Sequence, residues 1–141
     1  MIEMVSRRAE QANNFIYQKM VRDTQITATG WTTPEEYYQK YNYNDTPDLN
    51  LSRAIVQSNL NHWGFLYKEG VIGEDFIDRL YNPWHIINFW ESFSPLLLNE
   101  REVMGNSDAW SDLEYLYDSM NRKYPHLSKE TKFVFQHWRD E

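Results

Sequence analysis

Four of the five prolines in this chain directly follow a residue whose side chain can cap a helix: Thr33–Pro34, Thr46–Pro47, Asn82–Pro83 and Ser94–Pro95. Proline has no backbone N–H, and its φ is fixed near the helical value. It therefore suits the first turn of a helix and breaks or kinks the interior. A preceding Thr, Asn or Ser supplies an oxygen for the unpaired N–H groups of that turn. Acids follow at two of these starts, Glu35–Glu36 and Asp48, where the helix dipole favours them. Glycines mark two ends, Gly70 and Gly105, each after a run with helical spacing. Strand signals are scarce, and a chain punctuated in this way is built for helices joined by short connections.

Apolar spacing agrees. Ile2, Val5, Ala9, Ala12, Ile16 and Met20 form one narrow stripe over a helix from about Ile2 to Asp23, a seam for docking inside the domain or between copies. Residues 24–46 are the least regular: TQITATGWTT can be extended, and a short helix through Tyr37, Tyr38 and Tyr41 follows. The helix opened by Thr46–Pro47 should run to about Glu69, with Leu49, Ile55, Val56, Leu60, Trp63, Leu66 and Tyr67 on one face. Asn59 falls within that face and is expected to be a buried hydrogen-bond hub, whereas Phe65 points away toward a second neighbour. A short helix from Glu74 to Tyr81 precedes the one opened at Pro83, whose buried side is Ile86, Phe89, Trp90, Phe93, Leu96 and Leu97. Pro95 either starts a new helix capped by Ser94 or kinks one long helix. Ser107 reads as the cap of a helix to about Lys123, with Ala109, Leu113, Leu116, Tyr117 and Met120 inward, and Ser128 opens a final segment favoured as helix. The expectation is all-α: a single domain over residues 1–141, a compact bundle of six or seven helices with one irregular segment near 24–46.

Composition removes several classes of function. The 141 residues include no cysteine, which excludes disulfides, thiolate zinc sites and a cysteine nucleophile. Charges interrupt the first ten residues where a leader's apolar stretch would lie, and no segment approaches the roughly 18 apolar residues of a membrane span. A soluble, cytoplasmic protein is expected. The net charge is −7, and between Glu69 and Asp118 eleven acids face only Arg79 and Arg101, a local −9. Such a surface repels phosphate backbones and disfavours nucleic acid.

Catalytic constellations are thin. His85 and Glu91 share the stretch NPWHIINFWESFSP, yet six residues rotate one from the other by about 120°, so they do not pair on that helix. His126 and His137 would be about 16 Å apart along a helix and cannot share an ion, and His62 and His85 meet only by tertiary chance. Three acid pairs, Glu74/Asp78, Asp108/Asp112 and Glu114/Asp118, are each four apart and so share a helix face. Acids projecting from packed helices hold Mg²⁺ in all-α nucleotide phosphohydrolases, and this defines an enzymatic alternative. A solvated acidic face is the plainer explanation, and no glycine-rich or lysine-rich element is present to hold phosphates. No cofactor is expected. Tyr37 and Tyr38 define a further alternative, stacking of single-stranded nucleic acid, although tyrosine clusters more often line interfaces.

The stretch from about Asn59 to Met120 resembles an uncharacterised family of bacterial helical domains, domain of unknown function 4760. The likeness lies in NHWGFLYKEGVIGEDFIDRLY, then IINFWESFSPLLLNEREVMG, then DAWSDLEYLY. It includes a Trp-Glu helix with a downstream proline and arginine: Trp90, Glu91, Pro95 and Arg101. The resemblance implies an all-helical cytoplasmic domain with no assigned activity. Members often follow a membrane segment; none is visible here, so the chain is either a free soluble version or a fragment. Asn59, Trp63, Trp90, Glu91, Pro95 and Arg101 are expected to be structural, with Arg101 anchoring Glu91 or Glu102.

The functional expectation is contact rather than catalysis: an interaction or regulatory module using an acidic, aromatic-rich helical surface. Its contact residues are Glu74, Asp75, Asp78, Asp108, Asp112, Glu114, Asp118, Tyr37 and Tyr38. A basic protein is the expected partner, and self-association is the other use of the aromatic excess.

Overall fold

The computed structural model describes residues 16–80 and 83–127. Expectations for the stripe from Ile2 to Ala12, for His137 and for the segment opening at Ser128 lie outside them. The described chain forms α1 (16–27), α2 (Pro34–Lys40), α3 (Pro47–Lys68), α4 (Glu74–Leu80), α5 (Pro83–Met104) and α6 (Ser111–Lys123), with no strand among the described residues. The all-α expectation holds. No helix among them is long and apolar enough to cross a membrane. The chain divides into two compact units, Met1–Val56 and Gln57–Glu141, with the boundary inside α3.

In the first unit, α1 continues through TQIT rather than turning extended. Inside it the threonine hydroxyls are satisfied by carbonyls one turn back, Thr24 Oγ1 donating to Met20 O at 2.7 Å and Thr27 Oγ1 to Thr24 O at 2.9 Å. The start of α2 is as expected, with Thr33 Oγ1 accepting from the Glu36 N–H at 3.2 Å and Glu36 reaching back to the Thr32 N–H. Beneath α2 the centre of the unit is polar. The Tyr37 hydroxyl donates to Asn50 Oδ1 and accepts from Arg53 Nε, each at 2.8 Å. Asn50 Nδ2 donates to the carbonyls of Tyr41 and Thr46 at 2.8 and 3.0 Å. Arg53 is 2% exposed, and its guanidinium also lies 5.4 Å from the Tyr37 ring centre. A charge that far from water has to be held by hydrogen bonds and aromatic faces of this kind.

The second unit has an apolar centre. Ile86, Phe89, Trp90, Phe93, Leu96 and Leu97 of α5 are buried as their spacing predicts, and α6 packs Leu113, Leu116 and Met120 against that helix. Pro95 lies inside a continuous α5, on its exposed side, so the single-helix reading holds. At the end of α3, Gly70 takes φ +77°, its N–H bonds Tyr67 O at 3.1 Å, and the Val71 N–H reaches Leu66 O at 2.9 Å. These are the two bonds of a Schellman terminus, for which glycine is the residue without steric cost. A different constraint acts at Gly64, which is buried where α3 crosses α6. A Cβ built there would run into the backbone carbonyl of Asp112. Glycine allows the two backbones to meet.

Three local expectations need correction. Asn59 is exposed and is not a hub; that role belongs to Asn50, and Asn61 makes the contact with α6. Phe65 is 46% exposed, so the second neighbour its position suggested does not bury it among the described residues. Helix α6 starts at Ser111 rather than next to Ser107, because residues 107–110 are spent on a turn that ends with Trp110 in the left-handed conformation, φ 63°. Trp110 offers no side-chain cap, and Asn61 Oδ1 accepts from the Leu113 N–H at 2.9 Å instead. The cap of α6 thus comes from α3.

Candidate interaction surface

The acids of the second unit separate into those with a partner and those without. Lys123 takes two of them: its Nζ is 2.7 Å from Asp78 Oδ2 and 3.6 Å from Glu74. Tyr124 donates to the same Asp78 oxygen at 3.0 Å. The hydrogen bond to Asp78 is the main cause that raises the Lys123 pKa above its ordinary value. Lys68 lies 3.8 Å from Asp112. Arg101 binds Glu114 at 3.0 Å and donates from Nε to the Ala109 carbonyl at 2.6 Å, rather than anchoring Glu91 or Glu102. Its position near the end of α5 faces the start of α6, which is where Glu114 stands. Glu91 instead accepts from the Tyr117 hydroxyl at 3.1 Å. Glu100 accepts from the Trp110 indole at 2.6 Å and from Gln57 at 3.4 Å.

Five carboxylates remain exposed and make no ion pair among the described residues: Glu69, Asp75, Glu102, Asp108 and Asp118. Of the acids expected at the surface, Asp75, Asp108 and Asp118 are therefore available. Glu74, Asp78, Asp112 and Glu114 carry an opposing cation. Glu69 and Glu102, which are exposed as well, were not among the acids singled out from the sequence as contact residues, and neither belongs to one of the three acid pairs. The acid pairs do not converge: among the described residues no group of three or more His, Asp or Glu is placed to hold a metal ion.

The aromatic half of the expectation changes more. Tyr37 is 0% exposed and Tyr41 is buried too, so neither can stack a base or touch a partner. Burial pushes the Tyr37 phenol above its ordinary range, while the Arg53 guanidinium pulls it back. Tyr38 and Tyr43 do reach the surface. In the second unit Trp90 is buried under Arg101, 5.9 Å from its ring centre, and stacks on Tyr117. Trp63 pairs with the exposed Phe76 at 5.7 Å, and Tyr67 with the exposed Tyr115 at 5.9 Å. His85 lies flat on Trp84 at 4.1 Å, and burial pulls its pKa to about 4, so it is neutral at physiological pH.

Residues 4–120 match the family model described as Domain of unknown function (DUF4760). Comparison with curated proteins and with solved structures gave no match. The matched range takes in the polar centre of the first unit as well as residues 59–120, which carry the resemblance. The chain belongs to the family Domain of unknown function (DUF4760).

Proposed function

We propose that this protein is a non-catalytic interaction module whose second unit offers an acidic helical face to a basic protein partner. The observation that carries the reading is the set of five exposed carboxylates, Glu69, Asp75, Glu102, Asp108 and Asp118, without an ion pair among the described residues. Three of the unit's cations are already committed: Lys68, Arg101 and Lys123 each hold another acid. Unpaired surface acids of one sign steer an oppositely charged protein and speed its encounter. Exposed Phe76 and Tyr115, backed by Trp63 and Tyr67, add the aromatic area that interfaces favour. A cytoplasmic location suits such a role.

The test is affinity capture of the tagged protein from its native host at low and moderate salt. A defined complex is expected, lost in the variant E69Q/D75N/E102Q/D108N/D118N. Recovery of free monomer alone at both salt concentrations would count against the reading.

A further inference from the structure

We infer that residues 98–108, the last turns of α5 and the loop after it, form the apolar anchor of this contact and fit a partner with an apolar pocket rimmed by basic residues. The inference rests on the interaction reading above and adds the place where the partner is gripped. Leu98, Val103 and Met104 are 45, 78 and 60% exposed, and every residue from Glu102 to Asp108 is exposed. Glu102 and Asp108 bracket the two most exposed of these apolar side chains. The one Lys or Arg between Arg79 and Arg122 is Arg101, and it is turned inward onto Ala109 O and Glu114. The exposed side chains of the segment itself are therefore apolar, acidic or neutral, with no outward cation among them.

The tip is also held rigid. The Gly105 N–H bonds Glu102 O at 3.2 Å and the Asn106 N–H bonds Arg101 O at 3.0 Å, closing the helix end. Asn106 Oδ1 accepts from the Asp108 N–H at 3.0 Å. Trp110, which closes the loop, has φ 63°, a conformation that costs a bulky residue roughly 1–3 kcal/mol and persists only where surroundings over-determine it. Those surroundings are the Glu100 carboxylate on its indole N–H and Arg101 on the neighbouring carbonyl. An apolar group presented on a fixed frame loses little freedom on binding, and Met104 adapts its shape to the pocket it enters. Charge decides the class of occupant. A second copy would bring Glu102 and Asp108 toward the acids of a chain of net charge −7, whereas a basic rim would neutralise them.

The probe is a labelled amphipathic peptide of leucine and lysine, with a leucine–glutamate peptide of the same pattern as control, read by fluorescence anisotropy. Wild type should bind the lysine peptide and ignore the glutamate one, V103S/M104S should lose at least about tenfold in affinity, and E102Q/D108N should flatten the salt dependence. Both variants alter exposed side chains, and unchanged melting shows that they fold. If V103S/M104S binds like wild type while E69Q/D75N weakens binding, the tip inference is overturned and the interaction reading stands. Failure of wild type to bind the lysine peptide overturns both. A dimer in sedimentation that V103S/M104S dissolves would make the occupant a second copy and overturn the choice of partner.

Discussion

Among the described residues, the two units bury opposite kinds of side chain. Among the described residues up to Val56, three apolar side chains are buried, Tyr37, Tyr41 and Val56, alongside six polar ones, Thr24, Gln25, Thr27, Asn50, Ser52 and Arg53. Among those from Gln57 onward, thirteen buried apolar residues accompany three polar ones, Gln57, Asn88 and Ser119. Apolar burial is non-directional, so the second unit can hold together while its charges stay outside. A polar centre is directional: Tyr37, Asn50 and Arg53 must each meet a partner at a fixed angle or lose more than they contribute. The second unit thus keeps its acids at the surface, whereas the first has turned two of its four tyrosines between residues 37 and 43, Tyr37 and Tyr41, inward.

Several substitutions would break or sharpen that contrast. Phe93→Ala, deep in the apolar centre at 1% exposure, should cost about 3–5 kcal/mol in a denaturant melt. A loss near 1 kcal/mol would mean the second unit is not held by packing. His85 supplies the next effect. Because its folded pKa is lowered to about 4, the unfolded chain binds more protons between pH 6.5 and 4. Stability should therefore be complete above pH 6.5 and fall by up to about 3 kcal/mol as pH drops to 4. His85→Gln should flatten this window, and an unchanged profile would place the histidine in water. In the first unit, Tyr37→Phe should cost about 1–3 kcal/mol by stripping Asn50 Oδ1 of its donor. A neutral outcome would show that the polar centre is passive filling. The smallest effect belongs to Asn61→Ala, about 1 kcal/mol from the lost cap on α6, measured by thermal melting. Asn59→Ala, on the exposed side of the same helix, should change nothing.

Start and stop signals were legible because they act locally: Thr33 caps α2, Pro47 and Pro83 open α3 and α5, and Gly70 and Gly105 end helices as read. The buried side of α3 was not. It runs through Asn50, Ser52, Arg53, Val56, Gln57, Leu60 and Gly64, and only Val56 and Leu60 among them are aliphatic hydrophobes. A search for apolar spacing passes over such a stripe and settles on Leu49, Ile55 and Trp63 nearby, which carried Asn59 inward with them. The cap on α6 was hidden for another reason, since Asn61 stands 52 residues before the N–H it accepts from. At the candidate site, sequence spacing picked out Asp108 and Asp118, with Asp75 beside one pair, but could not tell them from Glu74, Asp78, Asp112 and Glu114, whose cations arrive through tertiary packing. The exposure of Val103 and Met104 was likewise invisible, because a helix end with apolar residues looks the same whether or not a neighbour covers it.

Hydrogen exchange on the captured complex tests the central claim most directly, by comparing amide protection in the free and bound protein. The account predicts that protection rises around residues 69–76 and 98–108 while residues 34–43 exchange as before. Protection confined to residues 34–43, or no complex on which to make the comparison, would contradict it.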